Sequence, residues 1–148
     1  LDMSFASREE YLAYWRKHPA LASDWSDDLV QYFDHDLVGT APALRSSTSK
    51  DAVIGDTRSM MGDDLIARSL LQLKMPVRLL RAPRGLQDGK PLYSEALVRR
   101  WAARIANFSS TTIADVNHYT IIMSARGADA VTRELRALAE PAAVADAA

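Results

Sequence analysis

Pro76-Val-Arg-Leu-Leu-Arg-Ala82, then Pro83-Arg-Gly-Leu-Gln-Asp88, then Thr111-Thr-Ile-Ala-Asp-Val-Asn-His118 are the stretches that decide the reading of this chain. The first is a short, mostly apolar run opened by proline and closed by a Pro/Gly-containing loop, the pattern of a buried strand. The loop presents one carboxylate, Asp88. Between the loop and the third stretch, Leu97, Val98, Trp101, Ala102 and Ile105 fall on one helical face, and Ser94 is placed to cap that helix. The third stretch is rich in β-formers over Thr111–Val116 and ends at His118. The unit is therefore strand, acidic loop, helix, strand, histidine. A crossover helix makes the two strands parallel and the connection right-handed. Both loops then leave the carboxyl ends of neighbouring strands, the edge where open α/β sheets place their sites. An aspartate and a histidine delivered to one edge can pair, the carboxylate orienting the imidazole as a base.

Working outward, Ser7-Arg-Glu-Glu10 is a capping box that opens a helix with Tyr11, Leu12 and Trp15 on its apolar face, and Pro19 closes it. A second helix is expected from Ser26, with Asp27 and Asp28 in its first turn and Leu29, Val30, Tyr32 and Phe33 on the buried side. Val38–Leu44, with Gly39 and Pro42, reads as a loop. Further helices are expected from about Lys50 to Met61, from about Asp64 to Leu73, and over Ala128–Ala139; the Ala-rich end, Glu140–Ala148, reads as a frayed tail. Residues 1–74 are thus helical, and residues 75–148 alternate strand and helix.

Composition narrows the function. The chain has 148 residues, 48% apolar and 25% charged, the size and balance of one globular unit. Eighteen basic against nineteen acidic side chains leave a net charge of −1, which argues against nucleic acid and anionic membrane as partners. No apolar stretch has the length of a membrane span. Without cysteine there is no disulfide framework, thiolate metal site or cysteine nucleophile. No cofactor is expected. The chain opens on Leu1, with no signal-like apolar core, so the expectation is a piece of a longer, cytoplasmic parent.

The block from Pro76 to His118 resembles the C-terminal part of an α/β-hydrolase, a family in which the catalytic acid follows the seventh strand and the histidine follows the eighth. Pro76–Asp88 matches the first feature and Asp115-Val-Asn-His118-Tyr-Thr the second, in the family's acid-then-histidine order. The resemblance implies a fold class: α/β, the C-terminal portion of an α/β-hydrolase fold, with a helical cap and return helix over 1–74 and the end of the core over 75–148. The opening stretch with Phe5, Tyr11-Leu-Ala-Tyr-Trp15 and His18-Pro19 is similar to cap helices of epoxide-hydrolase-like and lipase-like members. It implies two catalytic residues, His118 as general base and Asp88 as its orienting acid, in a serine hydrolase acting on an ester-like small molecule. No G-x-S-x-G nucleophile elbow occurs in these residues. The nucleophile is accordingly expected from an N-terminal half beyond Leu1, with the missing half, or a second copy, covering the outer edge of the first strand; the isolated chain is expected to be inactive. An upstream aspartate nucleophile would make the same pair part of an epoxide hydrolase or dehalogenase. The alternative to both is a noncatalytic binding module of similar pattern.

Other candidates carry less. Asp115, three residues before the histidine, is expected inside the strand and pointing away. Asn117 and Tyr119 suit structural roles in the histidine loop. His18 precedes a proline at a helix end, and His35 lies between Asp34 and Asp36, whose side chains diverge on a helix. Arg84 reads as a solvated charge, and Met60, Met61 and Met75 as packing residues.

Overall fold

The computed structural model describes residues 2–62 and 65–139 of the chain, residues 61 and 62 by their backbone alone. It is a mixed α/β structure with two small sheets. Helix α1 (Arg8–Arg16) starts where the capping box places it. Ser7 Oγ accepts from Glu10 N, and the Glu10 carboxylate reaches back to the Ala6 backbone N–H at 2.7 Å. A 3-10 turn (Ala22–Asp24) leads to α2 (Asp27–Asp36), capped by Ser26. The stretch expected as a plain loop after α2 is the turn of a short antiparallel hairpin, β1 (Leu37–Val38) with β2 (Arg45–Ser46). Its Gly39 has φ of 102° and backbone packed where a Cβ would sit, 2.9 Å from the Ala43 carbonyl oxygen, so glycine is required there.

Two helices follow, α3 (Lys50–Gly62) and α4 (Leu65–Gln72). The apolar face foreseen on the latter is covered only towards its end: Leu65 and Ile66 are more than half exposed, while Leu70 and Leu73 are half-buried. Met60 and Met75 are exposed too, contrary to the packing role expected of them. The side chain of Met61, the start of the fourth helix at Asp64 and the tail Glu140–Ala148 lie outside the described residues.

The deciding block folds as strand, helix, strand. Strand β3 (Val77–Arg81) pairs in parallel with β4 (Phe108–Thr112), Val77 opposite Phe108 and Arg81 opposite Thr112, and α5 (Glu95–Ala102) crosses between them from its Ser94 cap. The second strand differs from expectation: it spans Phe108–Thr112, not Thr111–Val116. Ile113 and Val116 are buried after the strand ends, on a turn in which Asp115 has φ of 58°. Thr111, Thr112, Ile113 and Val116 are all β-formers by residue type, which is why the sequence pattern extended the strand through the turn. A short helix α6 (Thr120–Met123) and a longer α7 (Ala125–Ala139) finish the described chain, α7 starting three residues before the expected Ala128. Gly127 lets these two meet. A Cβ there would lie 2.2 Å from the Thr120 carbonyl oxygen and 2.4 Å from that of Ile121.

Burial divides between two clusters. The larger joins Phe5, Tyr11, Leu21, Leu29 and Phe33, and Tyr119 and Met123 from the C-terminal segment pack against it. The smaller joins Ile113, Val116 and Ala130 beneath the parallel pair, with Leu80 and Ala82. Strand β3 is only half-buried along its whole length. It has one hydrogen-bonded neighbour among the described residues, β4.

Candidate active site

The site stands where the two strands end. Beyond β3, Pro83–Lys90 folds into a tight turn: Asp88 N donates to the Gly85 carbonyl and Gly85 N to that of Gly89, both at 3.1 Å. Gly85 is the residue that allows it, because a Cβ would come within 2.3 Å of the Lys90 carbonyl oxygen. Asp88 occupies the left-handed region at φ 58°, which aspartate tolerates better than most residues. Beyond β4, the turn at Asp115 delivers Val116, Asn117 and His118. An isolated parallel bridge between Arg84 and Asn117 keeps the two loops side by side past the last strand pair.

The structure therefore brings the acid loop and the histidine loop together, as the strand–helix–strand spacing requires. It does not join Asp88 and His118 by a direct hydrogen bond. Among the described residues the partners of the Asp88 carboxylate are Arg84 and Asn117: Arg84 Nη1 lies 2.8 Å from Oδ2, and Asn117 Nδ2 donates to Oδ1 at 3.0 Å. Arg84 is thus not the solvated charge the sequence indicated. It sits four residues before Asp88 in a closed turn, and that spacing was the available signal. Asn117 has no exposed surface. Besides Asp88 its amide donates to the Ala20 carbonyl at 2.7 Å, and its Oδ1 accepts from the backbone N–H groups of Tyr119 and Thr120 at 3.0 Å each. That is an asparagine cap on the turn that leads into α6, and His118 lies in that turn.

His118 is half-buried and lines a cavity of about 340 Å³ with Leu80, Arg84, Leu92, Tyr93 and Tyr119. Tyr119 stands edge-on to it, ring centroids 5.6 Å apart, and also edge-on to His18 at 5.7 Å. His18 is more than a helix-end residue. Its Nδ1 accepts from Ala20 N at 3.2 Å, and its Nε2 faces the side-chain amide of Gln87, next to Asp88, at 3.4 Å. The turn after α1 therefore touches the acid loop directly, a contact no local sequence pattern announces.

Tyr119 also lines a second cavity of about 230 Å³ walled by Phe5, Tyr11, Tyr14, Trp15 and Phe33. Its polar element is Asp36. Burial pushes the Asp36 carboxyl up, but hydrogen bonds from Tyr11, Ser46 and Ser47 outweigh it and hold the group below its ordinary value. The Tyr11 hydroxyl is pushed well above the usual tyrosine range, first by burial and then by donating to Asp36. Asp34, on the other side of His35, is bound through both oxygens by Arg8 at 2.6 Å. Among the described residues no group of histidine, aspartate and glutamate side chains is arranged to hold a metal ion, and no helix is long and apolar enough to cross a membrane. No protein-family model, curated protein or solved structure matches the chain.

Proposed function

We propose that this chain carries the acid–base half of a serine hydrolase of α/β-hydrolase type, acting on an ester-like small molecule. The observation that carries the reading is the meeting of two loops at the carboxyl end of a parallel strand pair. One holds a carboxylate, Asp88, fixed by two donors; the other holds a half-buried histidine at the wall of a cavity. In this reading the neutral His118 imidazole takes a proton from an attacking hydroxyl and returns it to the leaving alcohol. Asp88 accepts the other ring N–H and stabilises the imidazolium that forms between the two transfers. Each Asp88 oxygen already has one donor but can accept a second. The pair is completed on substrate binding, since catalytic hydrogen bonds often tighten only in the complex.

The hydroxyl comes from outside these residues, which lack a nucleophile elbow. The half-buried strand β3 supports the same idea, because a two-stranded parallel sheet is not stable alone and a third strand belongs along its free edge. That strand is supplied by the nucleophile-bearing half, or by a second copy when that half is absent.

The test is hydrolysis of a short-chain aryl ester by the chain alone, by the protein extended to include the nucleophile, and by point variants of the extended form. The chain alone is expected to be inactive. His118→Ala in the extended protein should remove activity by at least ~10³-fold, as loss of a triad member does, and Asp115→Ala should leave most of it. Saturable turnover by the chain alone, lost in His118→Ala, would overturn the assignment of the nucleophile to another segment.

A further inference from the structure

The orientation of the Asn117 carboxamide is forced by its neighbours. Ala20 O and the Asp88 carboxylate are acceptors, and the amides of Tyr119 and Thr120 are donors, so the nitrogen must face the first pair and the oxygen the second. Both N–H groups are used, and the oxygen accepts twice, in a position with no solvent contact. Capping α6 requires only the oxygen, and serine, threonine or aspartate would serve that purpose. The two N–H donors do nothing for the helix. One goes to the carboxylate of the acid loop and the other to the turn that follows α1.

We propose that Asn117 is a positioning residue for the Asp88–His118 pair: its amide holds the Asp88 carboxylate beside the histidine loop, and its bond to Ala20 fixes both loops to the N-terminal helical segment. This rests on the acid–base reading above. Arg84 alone does not define the carboxylate, because an ion pair about one-third exposed on both sides tolerates many geometries. The Asn117 bond adds a second, buried anchor on the other oxygen. Its own residue is covalently adjacent to His118, so any displacement of the histidine loop moves the acid's anchor with it. The separation between the two groups is thereby held constant while the loops shift together.

The test reads which ring nitrogen of His118 carries the proton, from ring ¹⁵N chemical shifts at neutral pH of the extended protein saturated with a short-chain aryl amide, a slow analogue of the ester, so that the pair is read in its closed state. A carboxylate accepting from Nδ1 selects the Nδ1–H tautomer. Asn117→Asp is nearly isosteric. It keeps the oxygen that caps α6 and replaces the two donors with an oxygen facing Asp88. The expected result is a tautomer ratio shifted by about tenfold or more towards Nε2–H, the scale of one lost charge-assisted hydrogen bond, and a similar shift in Asp88→Asn. Thr120→Val removes the hydroxyl that receives Asn117 N at 2.8 Å in the same buried spot and should leave the ratio unchanged. If Asn117→Asp does not fold, Asn117→Ser keeps a capping oxygen, lacks the donors, and gives the same readout. A wild-type ratio in the folded Asn117 variants, with the ratio lost in Asp88→Asn, would reduce Asn117 to a helix cap and leave the acid–base reading intact. No change in Asp88→Asn would instead remove the acid–base reading itself, and the positioning role with it.

Discussion

Replacing Tyr11 by phenylalanine removes one oxygen from the centre of the larger cluster and nothing else. Tyr11 is 1% exposed, and its ring contacts, to Phe5 at 4.9 Å, Phe33 at 6.1 Å and Trp15 at 6.3 Å, survive the change. What disappears is the hydroxyl's bond to the Asp36 carboxylate, which retains Ser47 Oγ at 2.8 Å. A hydrogen bond to a charged group is worth about 1.5–3 kcal/mol, and the variant no longer has to desolvate a hydroxyl, so a loss of about 2 kcal/mol is expected. For a chain of this size that is a drop in Tm of roughly 4–8 °C. The pH dependence carries a sign on each side. The folded tyrosine is pushed above its unfolded value, so its stabilisation is complete below the ordinary tyrosine range and is lost as pH rises beyond it; the wild type should weaken above about pH 10 where the variant does not. The folded Asp36 is held below its unfolded value, so its share is complete above the ordinary carboxylate range and lost as pH falls through the depressed value. The difference between the proteins is therefore widest on the plateau and narrows at both ends. Thermal unfolding followed by circular dichroism from acid to alkaline pH measures this. A Tm change under about 1 °C at neutral pH, with parallel alkaline limbs, would refute a hydroxyl bound to an ionised partner.

Three other outcomes are expected. Gly127→Ala should destabilise by at least about 1–3 kcal/mol in urea unfolding, because the new methyl meets two carbonyl oxygens of α6 at under 2.5 Å and neither can retreat without unwinding that turn. Leu29→Ala, in the same assay, should cost about 2–5 kcal/mol for a side chain that is 1% exposed. Arg84→Gln should change stability by less than about 1 kcal/mol, since its ion pair is roughly one-third exposed on both sides, and should leave Asp88 anchored by Asn117 alone.

Residues 76–118 were legible because their signals are local. The Ser94 cap, the apolar face of α5 and the proline before β3 each depend on neighbours within a few positions, and the parallel pairing follows from the connecting helix. The boundary of β4 was not legible. Its own residues, Phe108-Ser-Ser-Thr-Thr112, are mostly small and polar, and Ile113 and Val116 beyond it are β-branched and buried although they pack from a turn. The hairpin of β1 and β2 was hidden because two-residue strands leave no periodicity to detect. At the site, Asp88 and His118 could be named from the loops that carry them, but their supports could not. Arg84 has the charge of any surface arginine until the turn closes it on Asp88, and the link from Asn117 to Ala20 joins segments with no common pattern.

That link spans 97 residues of chain. Closing a loop of that length carries an entropic cost on the order of 4 kcal/mol, about 1 kcal/mol more than the closure that pairs β3 with β4. Asn117 is sealed from water in the finished fold, and the contact with Ala20 both gives one of its N–H groups a partner and helps to close the space around it. In the acid–base reading proposed above, the anchor of Asp88 thus depends on a segment remote in sequence from both strands.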